Sequence, residues 1–453
     1  MKDKIIQELT GKKVLILGFG REGRSSYNFI KNNNVNCELA ISDMNEIKDE
    51  DILNSNVKVF FGDNYLEAMK DYDIILKTPG ISFKDIDITE VKDKITSQTE
   101  FFIKYGREKI IGVTGTKGKS TTSSLIYQML KTKYNVFLVG NIGLPAFDEM
   151  KEYDNVDYYI YELSSHQLEF VKHSPKYAIL LNMFEEHLDH YKDYEGYKEA
   201  KRKIFKFQTN EDYYIYNEDQ KEELNNDCIL KQNQIKVSKQ AIDSDNYCTY
   251  NDEKISGRIN NKIFDIRIPE NNINGKHNIF NIAVSVSISK LLGVDDDSVI
   301  TAIKEFKTLP HRLENIGTYE GVTYIDDSIS TIPEAVISAV SSIDNIDTVL
   351  IGGLDRGINY EKLIDYIAEG NINNVILMYD SGKRIYDSLS KRQCKCNAIY
   401  AENLEKGAEL ATKITEKNKI CLLSPAAASY GYFKNFEERG DKFKEYILLF
   451  TKQ

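Results

Sequence analysis

Hydrophobic positions along this chain fall into short apolar runs. Each is closed by glycine or a polar turn and followed by apolar residues at helical spacing. Lys13-Val-Leu-Ile-Leu17 ends in Gly18-Phe-Gly-Arg-Glu-Gly23; Tyr27 and Ile30 then share a helical face, and Glu38–Asp43 forms the next run. That order predicts a βαβ unit, hence a parallel sheet with a right-handed crossover. A second unit opens at Lys109-Ile-Ile-Gly-Val-Thr114 and breaks at Gly115-Thr-Lys-Gly-Lys-Ser120, before Leu125, Ile126, Met129 and Leu130. Further strands are expected at Asn135–Val139, Tyr158–Tyr161 and Tyr177–Leu181. A third unit has runs at Thr348–Ile351, Val375–Met378 and Lys419–Leu423. Residues 211–272 are rich in Asn, Asp and Lys, with alternation at Lys262-Ile-Phe-Asp-Ile-Arg-Ile268, and are expected to form a small antiparallel excursion. Boundaries near 98 and 308, the latter at the Leu309-Pro310 step, give three α/β parts: 1–98, 99–308 and 309–453.

The length of 453 residues suits two or three domains. The net charge of −11 argues against a nucleic-acid partner, which needs a basic face. It leaves room for phosphate ligands, which need only local cations and backbone N–H groups. The N-terminus lacks the apolar core of a secretory signal, and no apolar run is long enough to span a bilayer. A cytoplasmic location without a membrane partner is therefore expected. Cys37, Cys228, Cys248, Cys394, Cys396 and Cys421 form no CxxC pair, so neither a zinc ribbon nor a disulfide framework is expected.

Three clusters carry chemistry. Gly18, Gly20 and Gly23, followed twenty residues later by Asp43, make a fingerprint for a nucleotide diphosphate; these residues alone do not separate NAD from a UDP-sugar. Thr78-Pro79-Gly80-Ile81 ends another strand and is placed to complete that crevice. Gly115-Thr116-Lys117-Gly118-Lys119-Ser120-Thr121 lies between a strand and a helix, the setting of an ATP phosphate loop. Lys119 is its point charge and Ser120 a hydroxyl for Mg²⁺. It departs from the strict Walker pattern, because Val113 stands where a glycine is required. The third cluster, Glu162-Leu-Ser-Ser-His-Gln-Leu-Glu169 and Asn182-Met-Phe-Glu-Glu-His187-Leu-Asp189, follows two strands and offers carboxylate and imidazole ligands for Mg²⁺. His187, Asp189 and His190 do not amount to a compact zinc set, and His173 reads as a solvated loop residue.

These motifs, with Tyr197-x2-Ala-Lys201, Gly275-x-His-Asn-x2-Asn281 and Pro310-His-Arg312, resemble the Mur ligases in identity and order. Those enzymes are the ATP-dependent amide-forming ligases of peptidoglycan precursor synthesis. The closing Ser424-Pro-Ala-Ala-Ala-Ser429 and Phe433-Lys-Asn-Phe436-Glu-Glu-Arg-Gly440 look like the D-glutamate-adding branch. The resemblance implies an N-terminal Rossmann-like UDP-binding domain, a central P-loop-type ATPase with a mostly parallel sheet, and a C-terminal Rossmann-like domain that receives the amino acid. It implies three substrates, UDP-N-acetylmuramoyl-L-alanine, D-glutamate and ATP, and a monomeric enzyme. By the same resemblance, Gly18, Gly20, Arg21, Glu22, Gly23, Asp43, Thr78, Pro79, Gly80 and Asn141 belong to the UDP-substrate site. Asn281, Arg312 and Asp327 join the phosphate loop at ATP. Glu162 and His187, with Ser120, are magnesium-linked. Lys201 is a carbamoylated lysine bridging a second Mg²⁺, and Thr331, Ser429 and Phe436 meet glutamate.

The family's usual lysine and asparagine are Ile329 and Ile332 in Asp327-Ser-Ile-Ser-Thr331-Ile332, and Arg356 replaces a lysine after Gly352-Gly353-Leu-Asp355. Glu186 stands for the usual aspartate before His187. Arginine clamps a carboxylate with two parallel bonds, so Arg356 is expected to hold glutamate. The altered segment keeps an L-glutamate-adding variant open. An NAD-dependent oxidoreductase built on Gly18–Gly23 would leave the second glycine loop without a purpose. Other Mur-type and folylpolyglutamate-type ligases fit the ATP core but not the C-terminal motif.

Overall fold

The computed structural model describes residues 1–451 apart from 48, 50, 51, 53, 54, 56, 141–144, 151–154, 188–189, 226–227, 271–272, 274–276, 307–309 and 356. Asn141, Asp189, Arg356 and the Leu309 boundary lie outside the described residues. The chain forms two compact units, Met1–Asn271 with Ile279–Glu305, and Asn272–Asn278 with Phe306–Gln453. The first unit holds two sheets and the second holds one, so the fold is α/β with mostly parallel sheets in three domains.

The N-terminal sheet runs, edge to edge, through Lys58–Phe61, Glu38–Asp43, Lys13–Leu17, Ile74–Lys77 and Ile95–Thr96, all parallel. Lys13–Leu17 and Glu38–Asp43 match the apolar runs residue for residue. The nine-stranded central sheet is parallel from Val136–Gly140 through Tyr158–Glu162, Ile110–Thr114, Tyr177–Leu180, Tyr213–Asn217 and Asn233–Ser238 to Tyr247–Tyr250. Lys254–Ile259 and Lys262–Arg267 then finish it as an antiparallel meander. The expected excursion is thus half corrected. Tyr214, Ile215 and Tyr216 are buried and extend the parallel sheet; only the end alternates, with one face in water.

Apolar packing joins the first two sheets. One cluster runs from Val14 and Ile16 through Phe101 and Phe102 to Tyr159, Tyr161 and Leu180. Phe102, fully buried, meets Tyr159 and Tyr161 edge-to-face at centroid distances of 5.0 and 5.6 Å. Its truncation to alanine costs about 3–5 kcal/mol. In the second unit, Val349, Leu350 and Ile351 alternate between two clusters, with Ile351 beside Leu377 and Leu350 beside Ile376. That is the period of a strand buried on both faces. Its sheet order is Glu314–Tyr319, Val322–Asp326, Ile420–Leu423, Ile346–Gly352, Asn374–Met378, Asn397–Ala401, parallel except for the first hairpin. Cys394 and Cys396 are joined as a disulfide, which corrects the expectation of none: the bridge spans a single intervening residue, a spacing outside the CxxC search. No helix among the described residues is long and apolar enough to cross a membrane.

Candidate active site

The loop 115–118 leaves the strand Ile110–Thr114 and enters the helix Lys119–Leu130 at Gly118. Gly118 has φ +84°, and a Cβ there would lie 2.5 Å from Asn281 Oδ1, so glycine is required by backbone and space alike. At Gly115 a Cβ would meet that of Leu181 at 2.9 Å. No side chain caps the helix's first N–H groups, which face the loop with the positive end of the helix dipole. Neighbouring strands shape the loop. Thr116 N–H donates to Asn182 O (2.9 Å), Lys117 N–H to Asn182 Oδ1 (2.8 Å), and Asn182 Nδ2 to Lys117 O (3.0 Å). Lys119 Nζ donates to the Gly115 and Thr116 carbonyls, each at 2.9 Å, and Lys117 pairs with Glu186.

Lys201 comes from the helix Tyr194–Lys206 and is 2% exposed. Its Nζ donates to Gly115 O at 2.9 Å and sits 4.9 Å over the Tyr197 ring, whose hydroxyl is 2.7 Å from Thr116 Oγ1. Burial, reinforced by Lys119, holds the Lys201 ammonium well below its ordinary range, although Glu186 and Glu162 pull the other way. Glu162 ends the strand Tyr158–Glu162, is 3% exposed, and its Oε2 has no hydrogen-bond partner. A buried carboxylate oxygen without a donor is the kind of atom a divalent cation satisfies. His187, exposed and at φ +60°, lies with its ring 4.6 Å from that of His166. Burial, then His190 and His187, push His166 down to about 3, so its imidazole is neutral. Lys119, Ser120, Glu162, His187, Lys201 and Asn281 therefore gather around one loop.

Sequence reasoning missed the supporting roles of Asn182 and Tyr197. Tyr197 was legible, since it stands four residues before Lys201 and so shares its helical face. Read without the family, Lys201 is a surface lysine; the structure buries it. His173 is no freely solvated residue either: its Nδ1 lies 2.6 Å from Glu100 Oε1.

The N-terminal glycine loop opens on a cavity of about 820 Å³ lined by Gly18, Gly20, Arg21, Glu22, Asp43, Tyr65, Thr78, Pro79, Gly80 and Ile81. A Cβ at Gly18 would lie 2.0 Å from Thr78 Oγ1, and one at Gly23 2.1 Å from Gly18 O. Asp43 already accepts from Phe19 N–H (2.6 Å) and Asn45 N–H (2.8 Å), which fixes the loop before any sugar arrives. Glu22 accepts from Gln167 Nε2 at 2.7 Å, and burial raises its pKa. Lys77, buried beside Thr78, pairs with Glu169 at 3.2 Å.

In the second unit, Asp327, Thr331, Ser429 and Phe436 follow strand ends or open the last helix. Asp327 accepts from Ser424 Oγ (2.9 Å) and Ser330 Oγ, and burial pushes it up to about 6. Arg312 Nε is buried without a partner. His311, Glu314 and Asp326 converge closely enough for a metal, but Lys444 Nζ already stands 2.9 Å from Glu314.

The family described as Mur ligase middle domain matches residues 113–289, and Mur ligase MurD-like, N-terminal domain, matches 12–97. UDP-N-acetylmuramoylalanine–D-glutamate ligase of Clostridium acetobutylicum is 33% identical over 464 residues, covering 98% of both chains. Its counterpart in Ligilactobacillus salivarius is 30% identical over 467 residues, covering 99% of both. Among solved structures, MurF ligase of Thermotoga maritima in complex with ADP is similar in fold, with TM-score 0.59, 16% identity, and 99% and 96% coverage of this chain and that one. MurC of the same organism has TM-score 0.56, 20% identity, and 96% and 98% coverage.

Proposed function

The chain belongs to the Mur ligase family, and from that premise we propose how its residues divide the work of an ATP-dependent ligase joining D-glutamate to UDP-N-acetylmuramoyl-L-alanine in peptidoglycan synthesis. The substrate carboxylate attacks the γ-phosphorus of ATP, ADP leaves, and an acyl phosphate forms. The glutamate amine then attacks the acyl carbon, phosphate leaves, and an amide results. Residues 1–98 hold the UDP substrate, 99–308 hold ATP, and 309–453 receive glutamate.

The observation that carries the residue assignment is the pairing, beneath one glycine loop, of a buried carboxylate oxygen without a donor and a desolvated lysine amine. Glu162, Ser120 and His187 would hold Mg²⁺, which supplies charge neutralisation at the phosphates. Lys119 provides the fixed positive charge against which phosphate charge shifts during transfer. The Lys201 amine, whose charged form burial disfavours, is set up to add to carbon dioxide once deprotonated, forming an N–C bond and releasing a proton. The carbamate so formed is an anion beside Glu162, which favours a second cation. Asn281, Arg312 and Asp327 are assigned to the nucleotide, and Thr331, Ser429, Phe436 and Arg356 to glutamate.

Phosphate release with purified UDP-N-acetylmuramoyl-L-alanine, ATP and each glutamate enantiomer tests the reading. D-Glutamate is expected to support turnover. Turnover with L-glutamate alone would replace the stereochemical half, and no release with either would remove the residue assignment. ¹³C NMR of the native enzyme in ¹³C-bicarbonate is expected to show a carbamate carbon that Lys201→Ala lacks; no such signal in active enzyme would discard it.

A further inference from the structure

Arg439, on the helix Phe436–Thr451, is wholly buried, yet it forms no salt bridge with a carboxylate among the described residues. Its fork reaches two loops instead. Nε donates to Ser328 Oγ (3.0 Å), Nη2 to Ser328 O (2.8 Å), and Nη1 to Ala427 O (3.0 Å). Ser328 Oγ in turn donates to Phe436 O at 2.8 Å. A third loop closes in: a Cβ on Gly353 would stand 3.1 Å from Nη1 and 2.4 Å from Ala428 O. Ser328 follows the strand Val322–Asp326, Ala427 follows Ile420–Leu423, and Gly353 follows Ile346–Gly352. Three adjacent strand ends and a helix start are therefore tied to one planar cation.

Holding a guanidinium in such a place is expensive, and well-packed apolar residues often stabilise a fold at least as well as buried charge. What an apolar residue lacks is direction. The rigid fork fixes where two carbonyls and a hydroxyl stand relative to each other, and lysine's single ammonium does this poorly. The segments it ties are those carrying Asp327 and Thr331, Ser429, and Phe436.

We propose that Arg439 is the positioning residue of the amino-acid acceptor pocket: without touching glutamate, it sets the mutual register of the loops that hold it, and with that the affinity and handedness of the choice. The inference rests on the ligase reading above. Its test is steady-state kinetics of Arg439→Lys and Ser328→Ala in the full chain, with hydroxylamine trapping of the acyl phosphate when glutamate is omitted. Misplacing pocket loops by about 1 Å predicts a rise of about 10- to 100-fold in the D-glutamate KM for Arg439→Lys, and a smaller rise for Ser328→Ala. The D-over-L preference is expected to narrow. The KM for UDP-N-acetylmuramoyl-L-alanine is expected to stay near wild type, while the ATP KM rises several-fold less than that for D-glutamate, because only Asp327 of the nucleotide contacts rides on the Ser328 loop. Hydroxamate formation at saturating ATP is expected to persist. An unchanged glutamate KM, or an equal loss across all three substrates accompanied by a fall in Tm, overturns the proposal. A wild-type chain yielding neither hydroxamate nor phosphate overturns the ligase reading, and this inference with it.

Discussion

Two glycine loops in the first unit share one design and differ in charge. Gly18–Gly23 and Gly115–Gly118 each link a parallel strand to a helix, and in each a glycine is enforced by atoms closer than a Cβ tolerates. Around the first stand Asp43 and Glu22, already engaged by backbone and side-chain donors. Around the second stand Lys119 and Lys117, the latter paired with Glu186, with Glu162 and the buried Lys201 amine behind them. The shared geometry supplies N–H groups at a helix start. The flanking side chains decide how much phosphate charge is welcome: the carboxylate-lined loop suits a diphosphate diester, and the lysine-lined loop a triphosphate.

The comparison breaks most readily at Lys119. Lys119→Ala should reduce phosphate release by about 10³-fold or more, through lost stabilisation of the transferring phosphoryl group. The fold should persist, because the side chain rests on loop carbonyls rather than in the core; near-wild-type turnover by a folded variant would end the assignment. Lys201→Ala comes next, with an expected loss of about 10²-fold or more, since its carbamate would hold a second cation rather than act on phosphate directly. Partial recovery with added acetate would mark the missing anion, and recovery with added ammonium instead would speak against the carbamate.

Gly118→Ala sharpens the contrast at the backbone. It places a methyl against Asn281 and holds alanine at φ +84°, a conformation costing roughly 1–2 kcal/mol. An ATP KM raised by about tenfold is expected, matching roughly 1.4 kcal/mol, with the KM of the UDP substrate unmoved. The smallest effect belongs to the acidic loop. Glu22 has a folded-state pKa raised above its ordinary 4.5 by burial, so its contribution to stability is fully present below pH 4.5 and declines as pH climbs through the folded value. Glu22→Gln should abolish that decline. Tm measured against pH should show the variant gaining on wild type from pH 4.5 upward before levelling, and parallel curves would show the carboxyl to be ordinary.

Much of this was legible beforehand. Val14, Leu15 and Ile16 are buried on both faces of a parallel sheet, so their run is unbroken and easily read. The phosphate loop announces itself through glycine spacing. Residues 211–272 misled because Tyr213–Asn217 mixes aromatic and polar positions, while its partners are set by sheet order rather than local pattern. Lys201 was legible only through the family, because its burial depends on strand ends 86 residues away in sequence. The same holds for Arg439, whose partners on Ser328 and Ala427 lie 111 and 12 positions distant.

The apolar cluster shared by the first two sheets has a thermal consequence. With Ile16 and Tyr159 in one continuous core, the N-terminal and central sheets should not melt independently, and heat should dissolve them in one cooperative event. The third sheet, packed on its own two clusters, is free to melt at another temperature. A calorimetric trace would then hold two endotherms. Nucleotide should move one of them by mass action on the state that binds it. A cavity cut at Ile16 should lower the endotherm shared by the first two sheets, Tyr159 included, although the substitution lies in only one of them.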